Sequence, residues 1–351
     1  MEEATELESP VYVNISALEA GHITLPEYLF VTGADPEVRT TVPSLSFLIQ
    51  HPSAPASRSG NVTNIVFDLG VKRDLSGYAI AQQPHIAQRQ PIITNPDCSS
   101  SLRKGGRNEE EEDGELLNAE TDVDFVILSH VHWDHIGTPS DFSSATFVVG
   151  SGTLDLLKHG AGPLYPAELF NADELPASRT VELPPAPRRD SGLFREYYAR
   201  PTAPVHTSTP ADTQAKLPPS ANEWSWHPFS GFPRTIDFFG DKSVYVIDSP
   251  GHIHGHVNLL ARISEKKYVY LGGDCCHDVR ILSGEKGIAE YDDGHGGLRS
   301  VHVNTSLAKN TLAEIDEGVS QLRKDTDVEV VLAHDRGWRE CNKHRFWPDK
   351  L

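Results

Sequence analysis

The chain has 351 residues, and its 50 acidic side chains outnumber its 31 basic ones, which gives a formal net charge of −19 at pH 7. This charge disfavours nucleic acids and anionic membranes as partners, because binding to phosphates requires a basic surface. No apolar run is long enough to cross a membrane, and the N-terminal residues lack the pattern of a signal peptide. The four cysteines are too few for a disulfide framework, so we expect a cytoplasmic protein.

Short apolar runs in the first half of the chain predict β-strands. They lie near residues 28–31, 46–49, 64–68 and 145–149. Two polar insertions are predicted as long loops, near 74–120 and 163–233. The first contains an acidic run at 109–113 that is typical of a solvated surface, and the second is too rich in proline for long helices.

Strands and one helix are predicted for the second half. The strands lie near 179–183, 236–239, 243–247, 257–261, 268–271 and 328–332. Apolar residues at helical spacing predict a helix over 306–324, with Leu307, Leu312, Ile315, Val319 and Leu322 on its buried face. We expect one domain over 1–351, since layered α/β enzymes with insertions reach this length.

The densest chemical signal is the segment His130-Val131-His132-Trp133-Asp134-His135, which directly follows the apolar run 124–129. Loops at the ends of strands commonly carry function. Three imidazoles and a carboxylate within six residues predict a site for two metal ions, because His130 and His132 can converge on one ion while Asp134 and His135 point toward another.

This motif resembles that of the metallo-β-lactamase fold superfamily, and other parts of the chain match the family pattern in order. Asp68 and Gly70 end an early strand, the sequence Ser249-Pro250-Gly251-His252-Ile253-His254-Gly255-His256 forms a histidine-rich turn, and Asp274 and His334 each follow an apolar strand. The resemblance implies an αββα sandwich, in which two mixed β-sheets pack face to face between helices. It covers most of the chain.

The resemblance also implies a set of ligands. The first ion would be held by His130, His132 and His256, the second by Asp134, His135 and His334, and Asp274 would bridge the two. His252 and His254 compete with His256, since alternate spacing does not identify the ligand, and His252 is otherwise interpreted as supporting the turn. Asp274 could instead form a turn and His334 could be a plain loop residue. Asp68 is expected to organise the loop near His132.

The expected cofactors are two divalent ions, with zinc in first place and manganese or iron(II) as alternatives. A metal-bridging hydroxide would open a carbonyl substrate, and Asp134 or Asp274 would pass a proton to the leaving group. Within the superfamily the chain most resembles the N-acyl homoserine lactonases, which implies a small lactone with an acyl or aromatic tail as substrate. Those lactonases place a tyrosine three residues after the bridging Asp, where this chain has His277, so either His277 donates to the carbonyl or the substrate differs.

Other functions remain open at this point. A lactam or β-lactam hydrolase and a glyoxalase II-like thioesterase would use the same centre, and a noncatalytic binding protein is the alternative outside enzymes. Aromatic residues are candidates for the pocket wall, with core packing as the alternative role, and the polar segments 78–96 and 223–233 are candidate lids. The aromatic candidates are Trp133, Trp224, Trp226, Phe229 and Phe232. A homodimer is a further expectation, carried by the resemblance alone.

Overall fold

In a computed structural model of the chain, residues 10–52, 62–104, 117–187, 215–294 and 296–351 are described. The predicted acidic run at 109–113 and the centre of the proline-rich insertion lie outside the described residues. The strands are β1 Asn14–Leu18, β2 His22–Pro26, β3 Arg39–Pro43, β4 Ser46–His51, β5 Thr63–Phe67, β6 Phe125–Ile127, β7 Thr146–Val149, β8 Thr180–Glu182, β9 His227–Phe229, β10 Phe232–Asp237, β11 Val244–Asp248, β12 Val257–Ser264, β13 Lys267–Leu271, β14 Tyr291–Asp292, β15 Leu298–Arg299 and β16 Asp327–Val331. The α-helices are α1 Gln83–Gln88, α2 Cys98–Lys104, α3 Trp133–Ile136, α4 Thr153–His159, α5 Val279–Leu282, α6 Thr305–Leu322 and α7 Arg336–Cys341.

Two six-stranded sheets form the centre of the molecule. The first has the order β1-β4-β5-β6-β7-β8 and the second the order β16-β13-β12-β11-β10-β9. Both are mixed, because β5 to β8 pair in parallel within the first sheet and β13 pairs in parallel with β16 in the second. Two small hairpins, β2-β3 and β14-β15, lie outside these sheets.

Alternation along the strands explains how the sheets pack. Ile65 on β5 and Phe125 on β6 share one apolar cluster with Val246 on β11 and Leu259 on β12, which places this cluster between the two sheets. The intervening positions, such as Val66, belong to a second cluster that also contains helix residues of α6. The predicted αββα sandwich is therefore confirmed.

The predicted elements agree with the structure except near residue 28 and in the predicted loop 74–120, whose described part contains the short helices α1 and α2. The helix predicted over 306–324 is α6, Thr305–Leu322, and its N-cap Asn304 accepts a hydrogen bond from the Leu307 amide. The predicted strand at 28–31 is wrong, because Glu27–Leu29 forms a 3-10 turn after Pro26. No helix within the described ranges is long and apolar enough to span a bilayer.

Candidate metal centre

The candidate site lies beyond the C-terminal ends of strands from both sheets. The motif segment 130–135 follows β6 of the first sheet and leads into α3, for which His132 is the N-cap. The turn 249–256 follows β11 of the second sheet, and Asp274 and His334 follow its strands β13 and β16. One edge of the sandwich therefore collects all the predicted donors.

Parallel pairing brings Asp274 and His334 together. Leu271 at the end of β13 is opposite Val331 at the end of β16. Asp274 and His334 each follow these paired residues at the same spacing, and Asp274 Oδ1 lies 3.2 Å from His334 Nε2. The register of one strand pair thus positions two donors that are distant in sequence.

A first group of donor atoms contains three imidazoles. His132 Nδ1 lies 3.0 Å from His130 Nε2 and 2.9 Å from His252 Nε2. Asp274 Oδ2 is 3.8 Å from His130 Nε2 and 3.5 Å from His252 Nε2. Ring nitrogens that converge in this way, together with a carboxylate oxygen, form a donor set that suits a divalent cation such as zinc.

A second group adjoins the first through the same carboxylate. Asp274 Oδ1 lies 3.2 Å from His135 Nε2, and Asp134 Oδ2 lies 3.5 Å from His334 Nε2. Asp134, His135 and His334 have donor atoms close enough to hold one ion. The two oxygens of Asp274 therefore face different donor groups, as a bridging ligand must.

Atoms within these groups lack partners in the described part of the chain. His135 Nε2 and Asp274 Oδ1 are buried and lie 3.2 Å apart, yet neither makes a hydrogen bond to any described residue. Buried polar atoms are normally hydrogen-bonded, and leaving them unpaired is costly. The residues present therefore fit two divalent ions, whose coordination would satisfy these atoms.

The opposite ring nitrogens are held by neighbouring groups. His135 Nδ1 lies 2.9 Å from Asp68 Oδ2, and His334 Nδ1 lies 2.7 Å from the carbonyl oxygen of Pro43. Donation of the Nδ1 proton to these acceptors leaves the Nε2 lone pair free. Asp68 also accepts hydrogen bonds from the backbone amide and the hydroxyl of Ser129, at 2.7 Å each, so it anchors the start of the motif loop.

His302 is a further part of the site that the sequence analysis did not identify. It is buried, and its Nδ1 lies 3.2 Å from His252 Nδ1. It comes from the loop before α6, which has no metal-binding motif of its own. Only the folded chain brings it beside the 249–256 turn.

Burial and charge shift the ionisation of the site in opposite directions. Burial lowers the pKa of His130 and of His252 well below the usual range, so both rings are neutral and able to act as ligands. Burial also opposes the charged form of His135, but Asp274 and Asp68 outweigh it and raise its pKa. In turn, the nearby His135 and His334 hold the pKa of Asp274 well below its usual value against the effect of burial. Asp274 is therefore an ionised carboxylate.

The structure differs from the expectation for His256. Its Nε2 accepts a hydrogen bond of 3.0 Å from the backbone amide of Asp274, which uses the lone pair that a ligand would need. His252, at the start of the same turn, takes the place next to His130 and His132. The carbonyl oxygen of His252 also accepts a hydrogen bond from the amide of Val303. His254 belongs to neither group.

His277 lies at the junction of the two groups. Its Nε2 is 3.0 Å from Asp274 Oδ2, and its ring stacks against that of His334 with centroids 5.7 Å apart. It is half-buried and lines the cavity above the donor groups. The N–H of a neutral histidine at this place can donate a hydrogen bond either to the carboxylate or to a molecule in the cavity.

A cavity of about 460 Å³ opens onto the donor groups, which is within the usual size of small-molecule sites. Trp133 and the segment around α1 line it, so the candidate lid at 78–96 contributes to the wall. The other aromatic candidates pack elsewhere: Phe232 is 1% exposed and stacks on Tyr270, Phe229 stacks on Tyr245, and Trp224 and Trp226 pack against the core between the sheets. The segment 223–233 therefore contributes to the hydrophobic core, because its side chains pack against both of the apolar clusters described above.

The chain has relatives of moderate sequence identity among known proteins. No protein-family model matches the chain. It is 27% identical over 325 residues to the cytochrome P450 monooxygenase mpaDE of Penicillium brevicompactum, covering 90% of this chain and 32% of that protein. It is 26% identical over 243 residues to the metallo-hydrolase mfmC of Annulohypoxylon moriforme, covering 68% of this chain and 50% of that protein. It is 27% identical to the gamma-lactamase FDB1 of Fusarium pseudograminearum, covering 67% of this chain and 45% of that protein. The chain thus spans about a third of the length of the first of these relatives.

Solved structures show the same fold. AiiA of B. thuringiensis, with N-decanoyl-L-homoserine bound at its active site, superposes with a TM-score of 0.59 at 14% identity, covering 98% of this chain and 100% of that one. An N-acyl homoserine lactone hydrolase with its product bound at the catalytic metal center gives a TM-score of 0.58 at 14% identity, covering 98% of this chain and 100% of that one. The chain therefore has the metallo-β-lactamase fold, and the arrangement of its strands and helices is that of the N-acyl homoserine lactonases.

Proposed function

We propose that this chain is a metal-dependent hydrolase that opens a lactone. One observation carries the proposal: Asp274 presents its two oxygens to two separate groups of buried donors at the floor of a cavity. Relatives named as a metallo-hydrolase and as gamma-lactamases support a hydrolase, and the solved lactonases with the same fold favour a cyclic ester.

The proposed ligands follow the geometry. His130, His132 and His252 hold the first ion, and Asp134, His135 and His334 hold the second, with Asp274 shared. Zinc is the proposed metal, because this donor set suits it and AidC, a dizinc lactonase, matches the chain with a TM-score of 0.51. We retain cytoplasmic location and a homodimer as proposals, and the four free cysteines support a reducing compartment.

Two ions bound at this centre would supply a hydroxide nucleophile at neutral pH and would polarise a carbonyl. The residues of the chain do the rest. If both oxygens of Asp274 were ligands, the N–H of His277 would be left to donate to the carbonyl oxygen of the substrate. Of the two carboxylates that line the cavity, Asp134 carries the proton to the leaving alkoxide, because Asp274 would use both of its oxygens as ligands.

Lactam opening is the second candidate, and the gamma-lactamase relatives are the observation that favours it. An amide nitrogen is a poorer leaving group than an alkoxide, so this reaction depends more strongly on a proton donor. The first test is base consumption at constant pH when zinc-loaded protein is mixed with acyl lactones, lactams and thioesters, with a chelated sample as control.

Zinc-dependent acid release from lactones would support the proposal, and release from lactams alone would favour the second candidate. No release from any compound by protein that binds two ions would contradict a hydrolase. Asp274→Asn separates the site from other sources of activity: we expect loss of turnover, whereas Asp316→Asn, at an exposed position of α6, leaves turnover unchanged. Normal turnover of Asp274→Asn with two ions bound would exclude the bridging role.

A further inference from the structure

The cavity above the metal centre contains an arginine that makes no ion pair. Arg89 lines the same cavity as Asp134 and Asp274, and its side chain has no hydrogen bond or salt bridge to any residue in the described ranges. Several other arginines of the chain are paired with carboxylates: Arg73 with Asp97 and Asp141, Arg234 with Asp248 and Glu314, Arg280 with Asp278 and Glu27, and Arg345 with Glu329. Arg89 is therefore a cavity cation with no carboxylate partner among the described residues, in a protein of net charge −19.

The position of Arg89 is fixed by its surroundings. It directly follows α1, its carbonyl oxygen accepts a hydrogen bond of 2.6 Å from the amide of Thr24 on β2, and its amide donates to the carbonyl oxygen of Ile86. The guanidinium lies over the ring of Phe30, 5.7 Å from its centroid. Stacking on a ring face leaves the N–H groups at the guanidinium edge available to a ligand.

The electrostatic setting favours an anion. Burial lowers the pKa of Arg89, and Arg39 adds to this effect while Asp134 opposes it. The group remains charged, because an arginine does not lose its proton in proteins. A half-buried charge that has given up part of its hydration gains most from an anionic partner.

Other cavity residues complete a binding surface. Arg299 lines the same cavity, with its guanidinium 5.1 Å from the centroid of the Tyr291 ring. Apolar side chains line the cavity as well, among them Leu25, Leu29 and Val301. The cavity therefore combines a metal centre, an apolar wall and a cationic group.

We propose that the natural substrate carries a carboxylate besides the ring that is opened, and that Arg89, assisted by Arg299, binds this carboxylate. The inference rests on the proposed function, since it names the substrate class of the same site. Arg89 orients the ring toward the metal centre without taking part in bond breaking. Arginine suits this task because its planar fork matches the two oxygens of a carboxylate.

The test compares two γ-butyrolactones that carry a phenyl ring with either a carboxylate or a carboxamide. Zinc-loaded protein should open the carboxylate compound with a kcat/KM on the order of 10- to 100-fold higher, mainly through KM, as expected for a charge-assisted hydrogen bond. In Arg89→Gln this ratio should fall to within about threefold, and Arg89→Lys should retain part of it, because charge remains but the fork is lost. Arg103→Gln, an exposed arginine outside the cavity, should keep the full ratio.

A binding experiment separates this inference from the proposed function. The same two compounds, with the lactone replaced by a cyclopentanone that cannot be hydrolysed, are titrated into the zinc-loaded protein by calorimetry. If neither lactone is opened but the ketone carboxylate binds more tightly than the amide in an Arg89-dependent manner, the proposed function fails, while the part of the inference that assigns carboxylate binding to Arg89 stands. If lactones are opened and the wild-type protein shows no preference for the carboxylate, or if Arg89→Gln keeps the preference, the inference is overturned. If Arg89→Gln does not fold, the preference of the wild-type protein between the carboxylate and the carboxamide compound decides the inference alone.

Discussion

Asp68 Oδ2 lies 2.9 Å from His135 Nδ1, and this contact fixes which nitrogen of His135 faces Asp274. Asp68 adopts a left-handed backbone conformation, with φ of 59°, which orients its side chain behind the motif loop. A residue that binds no metal in our proposal thus determines the orientation of one that does.

Replacing Asp68 should weaken metal binding without removing a ligand. Asp68→Asn keeps a residue that tolerates positive φ but loses the charge that holds His135, so we expect zinc affinity to fall about 10- to 100-fold. Competition with a chromogenic chelator measures this loss. Asp74→Asn, at an exposed 3-10 N-cap, is the control and should bind zinc as the wild type does. Unchanged zinc affinity in Asp68→Asn would show that His135 does not need this partner.

His252 and His256 should behave differently when replaced. We expect His252→Ala to retain about one tightly bound zinc ion, because the first donor group loses one of its three imidazoles. His256→Ala should still bind two ions, although the loss of its hydrogen bond to the Asp274 amide weakens their affinity. Metal content after dialysis, measured by mass spectrometry, compares the two. The reverse order would restore His256 as the ligand.

Glu329 should make stability depend on pH. Burial would raise its pKa, but the bidentate contact with Arg345, at 2.6 and 2.7 Å, and the hydrogen bond from Trp338 lower it to about 2. A depressed carboxyl pKa stabilises the fold above the unfolded value of 4.5, and this contribution disappears as pH falls from about 4.5 toward 2.

Glu329→Gln should therefore lower the melting temperature most near neutral pH, and its difference from the wild type should shrink as pH falls to about 3. Thermal unfolding followed by circular dichroism at several pH values measures this difference. Glu37→Gln, at an exposed position, is the control and should match the wild type throughout. A difference that stays constant with pH would mean that the ion pair contributes little.

Gly318 should not tolerate a methyl group. It lies on α6 where the helix packs on β10, and a Cβ atom there would come within 2.5 Å of the Phe232 ring. Alanine normally stabilises a helix by about 1 kcal/mol relative to glycine. Overpacking costs about 1 to 3 kcal/mol, so we expect Gly318→Ala to lower the free energy of unfolding. Urea denaturation measures it, with Ser320→Ala on the exposed face as the control. A stabilised Gly318→Ala protein would show that the ring of Phe232 can move.

Apolar runs in the sequence predicted the strand ends that carry the donors, because such runs report directly on burial, whereas the sandwich was implied by the resemblance to the metallo-β-lactamase fold superfamily. Helix α6 was predicted closely, since its apolar residues follow the helical period over eighteen residues. The strand predicted near 28–31 was wrong because a short apolar run does not distinguish a strand from a turn whose side chains face a cavity.

The details of the site were harder to predict. The spacing of the histidines in the 249–256 turn does not show which of their rings faces His130. This depends on which histidine accepts the hydrogen bond from the Asp274 amide, and in the structure that histidine is His256. His302 and Arg89 have no motif, and they reach the site through loops whose path is set by packing. Aromatic composition likewise could not separate Trp133, which lines the cavity, from Phe232, which fills the core.

The proposed ligands are divided between the two sheets: the motif loop extends from β6 of the first, while the turn after β11 and the ends of β13 and β16 belong to the second. Ions held there would link two layers whose facing strands pack mainly through apolar side chains. Loss of metal should therefore loosen the edge of the sandwich that carries the donors, while the opposite edge stays packed. Substrate enters at this same edge, so the entrance to the site depends on the ions for its stability.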